Sequence, residues 1–285
     1  MLLLLIILLL VIYWTRNRNF SETFTESTFV GTGDNFEEYK LAKVQYKGTA
    51  TSIPQIRIFV LAYDAASFER AKSFKYWWAV PLLLPKEARV KNPIFENIIY
   101  RNYESILLPH ISDLGPSDFI GTISHKAFQK INVPKLDEFL NKFVQHHSPF
   151  NFVHFAVHDK KLSNVHPHFL HLWRDCMEPL VGAAHHHHES LYNYWMARRE
   201  QFEEYCAFFK LAADSQNDYS IVKHEYSMED SKYGGSVGMS LTPNQLEDLV
   251  GLPHYPHHPF VLERLANAYF KSRMPQKSIV LVYAS

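Results

Sequence analysis

Three short runs in this 285-residue chain put polar side chains directly after apolar stretches of strand length: Tyr63-Asp64, Ser124-His125-Lys126 and His158-Asp159-Lys160-Lys161. Ligands of open α/β sheets bind beyond the carboxyl ends of the strands, so these tips are where chemistry belongs. A carboxylate such as Asp64 accepts hydrogen bonds from a ribose or a base. A lysine beside a histidine, as at His125-Lys126, neutralises a departing diphosphate, as fixed cations do at phosphoryl groups. Asp159 and Glu189 have the chemistry of a general base that takes the proton of an acceptor hydroxyl. The blander readings stand beside these: a turn or helix cap for Asp64, a solvated loop for Ser124 to Lys126.

Histidine is abundant, with 17 residues, four of them consecutive at His185 to His188. His166, His168 and His171 form a second group; His254, His257 and His258 form a third. Consecutive strand residues face opposite ways, so at most two of the four could bind one metal from that element. Zinc needs three or four ligands in tetrahedral geometry, and no HExxH spacing supplies them. Polar, His-rich loops are the expectation, and a zinc-dependent hydrolase is the rival. Mn²⁺ and Mg²⁺ prefer oxygen ligands, which Ser124 to Lys126 supply poorly. No required cofactor is expected there, with a divalent metal (Mn²⁺ or Mg²⁺) as the alternative.

The elements that must position these groups follow from periodicity. Ile56 to Tyr63 (IRIFVLAY) is a continuous apolar run that suits a strand buried on both faces. Asn92-Pro93 opens a helix with an apolar face of Phe95, Ile98, Ile99, Tyr103 and Ile106, ending before Pro109. Asp118 to Ile123 is a second strand. Pro134 begins a helix with Leu136, Phe139, Leu140, Phe143 and Val144 at helical spacing. Phe152 to Val157 and Tyr192 to Met196 read as strands. The latter runs into a helix carrying Phe202, Tyr205, Cys206 and Phe209. Thr242-Pro243-Asn244-Gln245 is a capping box, Pro259 starts the last helix, and Ser278 to Tyr283 is a terminal strand. Strands alternating with helices predict an α/β domain with a mainly parallel sheet flanked by helices.

The stretch Asn92 to Phe128, NPIFENIIYRNYESILLPHISDLGPSDFIGTISHKAF, joins an Asn-Pro-started helix carrying Glu96 to a strand end of the form D-F-I-G-x-x-H. It resembles part of a bacterial and viral glycosyltransferase-like family associated with capsule and lipopolysaccharide synthesis. Tyr192 to Cys206 (YNYWMARREQFEEYC) and Pro259 to Phe270 (PFVLERLANAYF) are also similar to pieces of that family. The resemblance is patchy over residues 55–272. It implies a GT-A-like, Rossmann-like fold and sugar transfer from a nucleotide-sugar donor to a glycan or lipid-linked acceptor; it brings no catalytic residues with it. Many GT-A enzymes carry Asp-x-Asp after the central strand to hold a metal; here Ser124, His125 and Lys126 stand at those positions.

The site expected on these grounds has Tyr63, Asp64, Asn97, Ser124, His125 and Lys126 at the donor. Trp195 and Glu263 attend the acceptor, and Asp159 or Glu189 is the base. Trp77, Trp78 and Trp195 offer rings that either stack on sugars or fill the core. A catalytically inert glycan-binding module on the same fold is a further alternative.

Leu2 to Trp14 (LLLLIILLLVIYW) spans about 20 Å as a helix, short of the ~30 Å hydrocarbon core. Tyr13 and Trp14 suit a membrane interface, and Arg16 and Arg18 follow. Residues 1–15 are therefore expected to be a single-pass anchor, 16–52 a stalk and 53–285 the α/β domain. The Arg pair places that domain on the cytoplasmic side, with a lumenal placement as the alternative. Gly31-Thr32-Gly33-Asp34 lies in the stalk as a turn. With 29 basic and 29 acidic residues the chain has no net field for nucleic acid, and its two cysteines make no disulfide framework. Expected partners are a nucleotide-sugar donor, a glycan or glycolipid acceptor and, through the N-terminus, a membrane.

Overall fold

A computed structural model describes residues 53–86, 97–145, 150–155, 173–182, 193–220, 227–228, 242, 244–245, 247, 255–256, 258–273 and 278–280. In chain order the strands are β1 (Ile56–Ala62), β2 (Ala79–Leu83), β3 (Phe119–Ser124), β4 (Phe152–His154), β5 (Trp195–Arg198), β6 (Ser227–Met228), β7 (Tyr255–Pro256) and β8 (Ser278–Val280). The helices are α1 (Ala65–Lys72), α2 (Ile98–Arg101), α3 (Tyr103–Ile106), α4 (Val133–Gln145), α5 (Glu178–Val181), α6 (Arg199–Ser220) and α7 (His258–Arg273). Among the described residues no helix is long and apolar enough to cross a membrane. The expected anchor and stalk lie outside the described residues.

Six strands form one sheet in the order β2-β1-β3-β5-β4-β8, and β6 pairs with β7 separately. Within the large sheet β1 runs parallel to β2 and β3, and β4 parallel to β8. Strand β5 is antiparallel to both its neighbours, β3 and β4. The sheet is thus mainly parallel with one reversed strand. The apolar run of β1 alternates between two cores, as its composition predicts. Ile58 and Val60 face α1 and α4, whereas Phe59 and Leu61 face α2, α3, α6 and α7.

Gly121 sits where β3 meets β5. A Cβ there would lie 2.7 Å from the Trp195 carbonyl oxygen and 2.8 Å from Met196 Cβ. The glycine of the D-F-I-G stretch therefore permits close approach of two backbones. Asp118, just before β3, holds the opposite end of the strand. Its carboxylate accepts from the Gln55 amide at 2.8 Å and the Gly115 amide at 2.7 Å.

Several boundaries differ from expectation. The helix expected from Asn92 through Ile106 is described from Asn97 onward, as two one-turn pieces split at Asn102 (φ −108, ψ 37), with Pro109 inside a following 3₁₀ turn. Strand β2 carries Pro81, which the pleated interior excludes but an edge strand tolerates. Strand β5 begins three residues later than the sequence predicts, at Trp195.

Candidate functional site

The chain leaves β1 toward β2 on one side, then crosses β1 to pair β3 on the other. Connections that depart in opposite directions open a crevice between the carboxyl ends of those strands, the place where such sheets take ligands. Tyr63-Asp64 and Ser124-His125-Lys126 are the two tips flanking it, so the fold brings together two of the three polar tips expected from sequence.

The β1 tip turns sharply into α1. Asp64 is the helix N-cap: its Oδ1 accepts from the Ser67 amide at 2.6 Å. Ser67 Oγ accepts in return from the Tyr63 and Asp64 amides, both at 2.9 Å. Asp64 is exposed. Its bonds to the Ser67 amide and hydroxyl, with Arg70 nearby, hold the carboxyl below the usual carboxylate range. It is an ionised cap with one oxygen committed to the helix and an open side toward solvent.

At the β3 tip the three side chains part company. Ser124 is buried; its Oγ shares a 2.6 Å hydrogen bond with the Tyr194 hydroxyl and accepts from the Lys126 amide at 3.2 Å. His125 is buried as well. Its amide donates to Leu61 O at 3.0 Å, continuing the β1–β3 ladder, and its Nδ1 lies 3.2 Å from the same carbonyl. Tyr63 packs edge-on against the imidazole, with ring centres 5.0 Å apart. Burial pushes the His125 pKa down, with Arg70 and Lys126 adding to this; the Leu61 carbonyl and Asp64 oppose it. Of the His125-Lys126 pair expected from sequence, His125 is thus the enclosed member, whose charged form burial disfavours, and Lys126 is the exposed one. His125 Nε2 is enclosed without a hydrogen-bond partner among the described residues. A buried polar atom left in that state costs about 1–3 kcal/mol.

Beneath the tips lies a polar web that sequence reading did not assemble. Thr122 Oγ1 donates to Asn193 O at 3.0 Å, so the Tyr100 hydroxyl must be the donor in its 2.7 Å bond to Thr122 Oγ1. The Asn193 side-chain amide donates to Asn97 Oδ1, and Trp195 Nε1 lies 3.4 Å from Asn193 Oδ1. Asn97, expected at the donor, is 1% exposed and serves this web, at the N-terminal end of α2. No sequence spacing announces a pair 96 residues apart.

Trp195, expected at the acceptor, is fully buried. Its ring stacks on Tyr100 at 5.3 Å and meets Phe202, Tyr205 and Phe270 within 5.7 Å, so both faces belong to the core. Trp78 is also fully buried and donates to Asp137 at 2.8 Å. Trp77 is 52% exposed but lies by the amino ends of β1 and β2. There it borders a cavity of about 290 Å³ with Ile53, Arg57 and Val80. The cation of that cavity is engaged: Arg57 makes a two-point bond to Asp113 at 2.8 and 2.9 Å. The Arg57 charge at this cavity is thus already met by a carboxylate. Glu263 is half-buried on α7, whose main contacts are with α6 and α5. Asp159, Glu189 and all the clustered histidines except His258 lie outside the described residues. Among the described residues no group of His, Cys, Asp or Glu is placed to hold a metal.

No family model, curated protein or solved structure matches the chain.

Proposed function

We propose that the domain is a nucleotide-sugar-dependent glycosyltransferase of GT-A-like architecture, with the donor seated between the carboxyl ends of β1 and β3. One observation carries the reading: the strand order changes direction between β1 and β3, and the crevice so formed is flanked by an ionised Asp64 on one tip and an exposed Lys126 on the other. Asp64 has an unshared edge that suits ribose or base hydroxyl and N–H groups. Lys126 is the cation for the diphosphate that departs, where a fixed charge acts in the transition state more than in the ground state. Asp159 or Glu189 stands as the base for the acceptor hydroxyl. The apolar N-terminal run would hold the domain near lipid-linked acceptors.

The test is a screen of the full-length chain against nucleotide sugars, reading donor hydrolysis and transfer with EDTA or Mn²⁺. Turnover with one donor that survives EDTA, falling about ten- to a hundred-fold in Lys126→Gln at unchanged melting temperature, supports the reading. Turnover that Lys126→Gln leaves intact moves the diphosphate elsewhere. Glycan binding without turnover of any donor would make the domain an inert binding module, and stoichiometric zinc with hydrolysis in place of transfer would favour a hydrolase.

A further inference from the structure

His125 is 4% exposed, and its Nε2 has no partner among the described residues. The other ring nitrogen settles what that atom is. Nδ1 faces Leu61 O at 3.2 Å, and a carbonyl oxygen only accepts. Nδ1 therefore holds the proton, and in a neutral imidazole Nε2 is then a bare lone pair. The ring is fixed in this sense: the His125 amide binds the same Leu61 carbonyl at 3.0 Å, and Tyr63 packs edge-on against it. Turning the ring over to hide Nε2 would break the bond at Nδ1. Buried side-chain acceptors are almost always paired, and the exceptions need a reason. This one sits at the tip of β3, one residue from the exposed Lys126 and beside the crevice at the strand-order change.

We propose that His125 is a specificity-determining residue of the donor site, whose Nε2 accepts a hydrogen bond from an N–H or O–H of the bound nucleoside. The identity of the ligand rests on the glycosyltransferase reading; the tautomer does not. The two neighbours then divide the work, Lys126 meeting the anionic phosphates and His125 selecting a donor group. A buried acceptor rejects a ligand that presents a lone pair in the same place, because neither partner is then satisfied. A base with a ring N–H, as in uracil, fits; cytosine, with a ring lone pair at that position, does not. Ribose hydroxyls offer the same donor chemistry without selecting the base. Half-buried Tyr63, packed on the imidazole, is the neighbour best placed to yield as the ligand arrives.

The direct test is nitrogen NMR of the histidine rings in the full-length chain, with His125→Asn used to assign the signals. The free protein is expected to show Nδ1 protonated and Nε2 unprotonated at His125, and uridine diphosphate is expected to move the Nε2 signal toward that of a bonded acceptor. Asparagine keeps a donor for Leu61 O and lacks Nε2, so His125→Asn should bind uridine diphosphate about tenfold more weakly, equivalent to 1.4 kcal/mol. Preference for uridine over cytidine diphosphate assigns the contact to the base; equal binding of both, with loss in a deoxyribose analogue, assigns it to the ribose. A proton on Nε2 in the free protein overturns the proposal whatever binds. So does an Nε2 signal that stays put while uridine diphosphate saturates the chain, an outcome that leaves the glycosyltransferase reading standing. Failure of every nucleoside diphosphate to bind removes both. Should His125→Asn not fold, the ring signals of the unaltered chain still decide.

Discussion

Gly121 and Trp195 meet backbone to backbone: a methyl group on Gly121 would stand 2.7 Å from the Trp195 carbonyl oxygen, closer than real side-chain carbons come to such an atom. The contact joins the parallel half of the sheet to its reversed strand. It also sits three residues before Ser124, the last residue of β3.

Gly121→Ala should therefore be costly, although alanine is a mild change elsewhere in a strand. The obstacles are a carbonyl oxygen, the Met196 Cβ at 2.8 Å and Ile58 Cγ1 at 3.2 Å, and the first of these belongs to the backbone and cannot rotate away. Overpacking of this kind costs about 1–3 kcal/mol, and the rigid neighbour argues for the upper end. Urea unfolding should show a lower midpoint with an unchanged slope. A loss under about 0.5 kcal/mol would mean that β3 and β5 separate easily.

Two substitutions separate the helix-capping role of Asp64 from the role proposed for it at the nucleoside. Asparagine caps a helix about as well as aspartate, whereas alanine loses the bond to the Ser67 amide at about 1 kcal/mol. Asp64→Ala should thus lower the stability of the domain, and Asp64→Asn should leave it within about 0.5 kcal/mol of the starting protein. Only the charge is missing in Asp64→Asn, so its nucleotide affinity isolates the ligand role. An affinity about tenfold lower is expected if the carboxylate meets the nucleoside. Binding equal to that of the unaltered chain would reduce Asp64 to a helix cap.

How much of this was legible follows from the range of each interaction. Strands β1 and β3 and helix α4 repeat their apolar residues at a fixed local period, and they stand close to where that period puts them. Strand β2 was hidden by Pro81, which reads as a strand breaker until its edge position is known. The reversal of β5 leaves no mark in a short apolar run, because either direction buries the same side chains. At the sheet edge, polar residues after two apolar strands stand side by side at the ends of β1 and β3, as their positions in the sequence suggest. What separates Lys126 from His125 is burial against residues far away in the chain, and composition does not report that. Asn97 and Trp195 looked available for ligands for the same reason. Their partners, Asn193 for one and the rings of Tyr100 and Phe270 for the other, arrive only with the fold.

The burial of His125 has a consequence for pH. Its folded pKa lies below the ordinary histidine value, chiefly because burial disfavours the charged ring, while an unfolded chain keeps the ordinary value of about 6.5. Between those two values the unfolded state holds the extra proton, so stability rises with pH in that window. As pH falls below about 6.5, the unaltered protein should lose stability relative to His125→Asn, down to the lowered folded value, below which the difference is constant. The other 16 of the 17 histidines are common to both proteins and drop out of the comparison. Arg70 and Lys126 reinforce the effect and Asp64 opposes it, so Lys126→Gln should narrow the window. The measurement is the difference in unfolding free energy between the two proteins at pH 7.5, 6.5 and 5.5, set as experimental conditions spanning roughly the unperturbed histidine range. A difference that does not change across this range would show that His125 titrates normally, in an environment open to water.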